Sequence, residues 1–149
     1  MSLQGKVMGK LKEAMKAKDT VALESLRAIK SAILLAQTES GAKQDLTEAE
    51  ELKLLQKLVK QRRDSATLYQ EQGRTDLAEP ELAQVAVIEQ FLPEQMNEED
   101  LKKVIAEIVS KTGATSMKDM GKVMGMASKQ LAGKADGKTI SNVVKSLLS

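Results

Sequence analysis

Apolar residues recur along this chain at intervals of three and four, the spacing that gathers them on one face of an α-helix. Leu3, Val7, Leu11 and Ala14/Met15 predict a first helix with lysines between the apolar positions. Asp19 is placed to cap a second, whose stripe runs Ala22, Leu26, Ile29, Ile33 and Ala36 and whose end is expected at Ser40-Gly41. Thr47 with Glu50 forms a capping-box signature and opens a long third helix expected to reach Gly73. Within it Leu52, Leu55, Val59, Arg62, Ala66 and Tyr69 make a heptad-like seam, and Leu54, Leu58 and Leu68 a second stripe. Two stripes predict a central helix, contacted on more than one side.

Asp76 is the expected cap of a fourth helix, with Glu79 in the box position and Pro80 in the first turn, where a missing N–H costs nothing. Phe91-Leu92-Pro93 stops it, because the residue before proline disfavours helix. Asn97 with Asp100 opens a fifth helix carrying Leu101, Val104, Ile105, Ile108 and Val109 and closed by Gly113. Ser116 with Asp119 opens a sixth, closed by Gly133, and Asp136 a seventh with Ile140, Val143, Val144, Leu147 and Leu148 on one face. Pro93 to Asn97 is the natural boundary. The expected class is all-α, with a helical amino-terminal domain over residues 1–93 and a three-helix carboxy-terminal domain over 94–149.

Composition agrees with helices and narrows the chemistry. Leu, Ala, Lys, Glu, Gln and Met dominate, whereas the aromatic share is 1%, comprising Tyr69 and Phe91 alone. With no Cys and no His, thiolate nucleophiles, imidazole bases, His-containing triads and thiolate zinc sites are excluded. No catalytic residue, metal site or cofactor is expected. Ala32-Ile33-Leu34-Leu35-Ala36 is too short an apolar run to span a bilayer, and no apolar stretch of signal-peptide length opens the chain. These points lead to the expectation of a cytoplasmic protein without a membrane partner.

Net charge is +2, unevenly distributed. From Lys111 onward seven lysines face two acids, a local +5 that leaves the remainder at −3. Such an excess attracts phosphate or an acidic protein, although it also describes an ordinary solvated face. On the sixth helix, Lys118, Lys122 and Lys129 fall together opposite an arc of Met117, Met120, Val123, Met124, Ala127 and Leu131. Gly121 and Gly125 lie between the two faces, nearer the lysines. Each interior glycine costs a helix about 1 kcal/mol relative to alanine, so another backbone is expected to approach there, from this chain or from a ligand.

Gly133-Lys134-Ala135-Asp136-Gly137-Lys138-Thr139 superficially looks like a nucleotide-binding loop, but position 132 is Ala and no strand precedes it. Its simpler meaning is a helix end, a cap and two flanking lysines. The clusters Glu48/Glu50/Glu51 and Glu98/Glu99/Asp100 sit in first helical turns, where carboxylates complement the helix dipole. Arg62 occupies a seam position beside Arg63, and either snorkels, pairs with a carboxylate, or offers a second phosphate contact.

Several strings, taken in order, carry a resemblance. They are Leu26-Arg27-Ala28-Ile29-Lys30, Lys60-Gln61-Arg62-Arg63-Asp64-Ser65-Ala66, Tyr69 with Gly73-Arg74-Thr75-Asp76-Leu77, and Phe91-Leu92-Pro93. Lys118-Asp119-Met120-Gly121-Lys122-Val123-Met124-Gly125 and Gly133-Lys134-Ala135-Asp136-Gly137-Lys138 complete the set. Over essentially its whole length the sequence resembles the YqeY-like (GatB/YqeY) family, with Phe91 where that family often has Tyr. The resemblance implies a larger helical amino-terminal domain and a carboxy-terminal domain similar to the tail of the B subunit of glutamine-dependent aminoacyl-tRNA amidotransferase. In that enzyme the tail engages tRNA while other parts do the chemistry.

Three functions are therefore expected in order. First is a non-catalytic accessory that binds tRNA or another structured RNA through Lys118, Lys122, Lys129, Lys134 and Lys138 with Gly121 and Gly125, and with Arg62 and Arg63 as a second site. So few aromatics leave backbone and shape as the means of recognition. Second is an adaptor docking on an amidotransferase or synthetase. Third is carbon–nitrogen ligase activity with glutamine as amido donor, within a complex only.

Overall fold

The computed structural model describes residues 2–39 and 45–149. The described residues form seven α-helices and no strand, and divide into two compact units, Met1–Leu92 and Pro93–Ser149.

In the first unit, α1 (Leu3–Ala17) begins where the Ser2 hydroxyl accepts the Gly5 N–H at 3.1 Å. It ends on Lys18, held at φ 56, the left-handed geometry that glycine usually supplies. α2 (Thr20–Glu39) starts at the expected cap: Asp19 Oδ1 accepts the Ala22 N–H at 3.1 Å. The stop expected at Ser40-Gly41 lies outside the described residues. α3 (Glu48–Glu71) carries the full capping box between Thr47 and Glu50, at 3.2 and 2.9 Å.

α4 (Thr75–Glu89) departs from expectation. Its cap position is Arg74, and Asp76 lies inside the first turn, where its carboxylate takes two bonds from the Arg74 guanidinium at 3.0 and 3.1 Å. Asp76 does not cap because the arginine two residues before it competes for the same oxygens. That hydrogen bonding holds the Asp76 carboxyl below the ordinary aspartate range, and the same bond raises Arg74. The helix starts before Asp76, so Pro80 sits in the second turn, where it withholds the N–H that would reach the Asp76 carbonyl.

The core of this unit joins Leu3, Val7 and Ala14 with Leu26, Ile29 and Ile33, Leu55 and Val59, and Val85 and Ile88. α2 packs against α1, α3 and α4, which makes it the central helix instead of α3, packed chiefly on α4. The second stripe of α3 fades accordingly: Leu54 and Leu58 pack on the core, but Leu68 is 57% exposed.

The second unit holds α5 (Glu98–Thr112), a 3-10 turn (Met117–Asp119), α6 (Met120–Gln130) and α7 (Gly137–Leu148). Asn97 caps α5 through the Asp100 N–H at 2.8 Å, and Gly113 at φ 68 closes it. Asp136 caps α7 through the Thr139 N–H at 2.6 Å. Leu101, Ile105, Ile108, Val123, Ala127, Leu131, Ile140, Val143, Val144 and Leu148 make the core. Two positions expected inside are outside: Leu147 on α7 and Met117, which belongs to the 3-10 turn and not to the regular helix. Among the described residues no helix is long and apolar enough to cross a membrane.

Candidate functional site

The outer surface of α6 follows from how its inner surface is held. Val123, Ala127 and, just past the helix end, Leu131 are buried to 1% or less, which turns Lys118, Lys122 and Lys129 to solvent. Ser116 Oγ accepts the Lys118 N–H at 3.4 Å and Asp119 the Thr115 N–H at 3.1 Å, so the turn carrying Lys118 is fixed by its own side chains. Lys134 and Lys138 are exposed on either side of Asp136, in the joint and on the first turn of α7. Among the described residues none of these five lysines forms an ion pair with a carboxylate. A cation left without a counter-charge in its own protein keeps its full capacity for an external anion.

The joint between α6 and α7 is anchored by a segment that the sequence offered only as a boundary. Gln95 Nε2 donates to the Gly133 carbonyl at 2.6 Å and the Met96 N–H to the Lys134 carbonyl at 3.0 Å. Gly133 itself takes φ 77, and Lys134 N–H closes the turn onto the Leu131 carbonyl at 2.9 Å. The residues that looked like a nucleotide loop are thus a braced helix–helix joint. No sequence signal pointed to Gln95, because its role depends on a carbonyl 38 positions away.

Gly121 and Gly125 are both exposed, and a Cβ added at either meets nothing within 4 Å. Among the described residues, no other helix of their own unit comes close enough to require them. Ser128 is also exposed and continues the same line at helical spacing, with exposed Ala132 in the turn just past the helix end, so a low strip runs beside the lysines.

Arg62 and Arg63 lie in the first unit and are engaged there. Arg62 Nε donates to Gln84 Oε1 at 2.9 Å and Nη1 to the Leu58 carbonyl at 3.1 Å, while Gln84 Nε2 donates to Glu24 at 3.2 Å. The seam arginine is thus satisfied by an amide that relays to a carboxylate on α2, instead of by direct ion pairing. Gln84 was missed because a single glutamine on a helix gives no sequence signal. Arg63 pairs with Glu89 at the end of α4. The acidic clusters stay in first turns, with Glu50 completing its capping box and Glu98 facing Lys102 at 3.9 Å. Among the described residues no group of three or more acidic, His or Cys side chains is arranged to hold a metal ion.

Among the described residues, these features define an all-helical protein with a basic face on its carboxy-terminal unit. The chain belongs to the YqeY-like family, whose model, described as Yqey-like protein, matches residues 4–148. It is 40% identical over 97 residues to a Clavispora lusitaniae protein named altered inheritance of mitochondria protein 41, mitochondrial, covering 63% of this chain and 55% of that one. It is 34% identical over 122 residues to the Meyerozyma guilliermondii protein of the same name, covering 78% and 61%. The Kluyveromyces lactis protein of that name is 30% identical over 138 residues, covering 91% and 70%. The chain spans less than two thirds of the length of the first two.

The names of these relatives overturn the cytoplasmic expectation, since all three place their proteins in the mitochondrion. The physical reason is that mitochondrial transit peptides are amphipathic and Arg-rich, so an expectation drawn from apolar leaders does not bear on that compartment.

Proposed function

We propose that this protein is a non-catalytic RNA-binding accessory, with tRNA the first candidate, and that its contacts are made to phosphate by the carboxy-terminal lysines. The observation that supports this reading is the set of five exposed lysines, Lys118, Lys122, Lys129, Lys134 and Lys138, without a counter-carboxylate on a well-braced surface. Backbone contacts supply affinity in proportion to the counterions they release. The resemblance of this unit to an amidotransferase tail favours RNA over other polyanions. Arg62 and Arg63 are secondary, because each already has partners inside its own unit.

The test is a filter-binding titration of the full chain with bulk tRNA at two salt concentrations, repeated with Lys122→Glu/Lys129→Glu. Each phosphate contact contributes about 0.9 on duplex or about 0.7 on single strands to the slope of log K against log salt. Losing two contacts therefore flattens that slope by roughly 1.4–1.8. Helicity is unchanged, since neither lysine touches the core. Absence of tRNA binding by the parent protein at low salt refutes the reading, and an acidic protein surface then becomes the partner of this face.

A further inference from the structure

We infer that the lysine face of α6 and the α6–α7 joint is built for the double-helical, A-form part of an RNA, and not for single strands or B-form DNA. The inference rests on the RNA-binding reading and specifies its ligand.

Single-strand binders hold bases by stacking them on aromatic rings. Both aromatic residues of this chain, Tyr69 and Phe91, precede Pro93, so the unit with the lysines has no stacking platform. A flexible strand would be held there by charge alone.

The backbone that carries the lysines is also fixed in place. Lys122 and Lys129 rise from a helix locked by Val123 and Ala127, Lys118 from a capped turn, and Lys134 and Lys138 from a joint bonded to Gln95 and Met96. From Lys122 to Lys129 the row extends about 10 Å along α6, at about 1.5 Å per residue, with Lys118 in the turn before it. Lysines on a preformed backbone meeting a preformed row of phosphates have only their side chains to order, whereas a single strand must itself be ordered as well.

Relief separates the two kinds of duplex. The B-DNA major groove is read by long side chains that reach base edges, chiefly Arg, Asn and Gln. Beside these lysines the strip is Gly121, Gly125, Ser128 and Ala132, from which nothing longer than a hydroxymethyl projects. A-form RNA presents a wide, shallow minor groove edged by 2′-hydroxyls, which a low surface can approach closely. Ser128 is the one group on the strip able to exchange a hydrogen bond with a 2′-hydroxyl.

The experiment compares three probes on the full chain at one salt concentration. They are an RNA duplex of about 16–20 base pairs, the DNA duplex of the same sequence, and an unpaired oligouridine of equal length. The RNA duplex is expected to bind about tenfold more tightly than either of the others. Gly125→Leu raises the relief at a position where an added Cβ meets nothing, so it removes that preference without lowering the unfolding midpoint. Ser128→Leu is the second variant and has the same expected effect. Equal binding of all three probes, or an unchanged preference in both folded variants, overturns this inference and leaves the RNA reading standing. Failure of every RNA to bind overturns both.

Discussion

Replacing Gly121 and Gly125 by alanine should make this protein more stable. Glycine in a helix interior costs about 1 kcal/mol relative to alanine, through backbone freedom lost on folding. That gain is normally cancelled where a neighbour occupies the space, and here an added Cβ meets nothing within 4 Å at either position. Gly125 lies in the middle of α6 and should return the full ~1 kcal/mol; Gly121, in the first turn, returns a smaller share. For a unit of this size, ~1 kcal/mol shifts the midpoint by roughly 4–8 °C. Thermal unfolding of the full chain followed by far-UV circular dichroism measures the change. Gly113→Ala is the internal control: its Cβ also meets nothing, but its φ of 68 is unfavourable for alanine, so it should destabilise by about 1 kcal/mol. A lower midpoint for Gly125→Ala would refute the open-space argument and require a helix of this chain against α6.

Three further perturbations test other parts of the molecule. Gln84→Ala removes the amide between Arg62 and Glu24 and should cost about 1 kcal/mol, read as a lower urea midpoint without a change in slope. Lys18→Gly relieves a left-handed residue at the end of α1 and should stabilise by up to about 1 kcal/mol, measured the same way. The Asp76 carboxyl, held low by Arg74, should titrate in carbon-detected NMR below an ordinary aspartate and return to the ordinary range in Arg74→Ala. The sign is that of a depressed acid: the contribution to folding is present above the unfolded pKa and is lost as pH falls through the folded one.

Helix existence and most helix starts were readable from the sequence, because a cap is a contact between residues three apart. Asp19, Thr47 with Glu50, Asn97 and Asp136 all cap as their spacing requires. Asp76 misled because a neighbouring arginine took its oxygens, a competition that cap patterns do not encode. Leu68 and Leu147 misled for a different reason: periodicity shows that a helix has an apolar stripe but not how much of it a neighbour covers. The lysines of α6 were legible as a face, since the same periodicity that buries Val123 and Ala127 exposes them. What lies opposite Gly121 and Gly125, and what braces the α6–α7 joint, depends on tertiary placement and had no signature along the chain.

The independence of the α6 surface from the core has an evolutionary consequence. Lys122, Gly125, Ser128 and Lys129 are exposed, so core packing exerts no selection on their identity, while helix propensity opposes glycine at position 125. Left to stability alone, this strip would drift toward alanine, glutamate and other good helix formers within a short divergence. Persistence of glycine and lysine at these positions across distant family members would therefore record selection by a contact outside the chain, and their free exchange would record its absence.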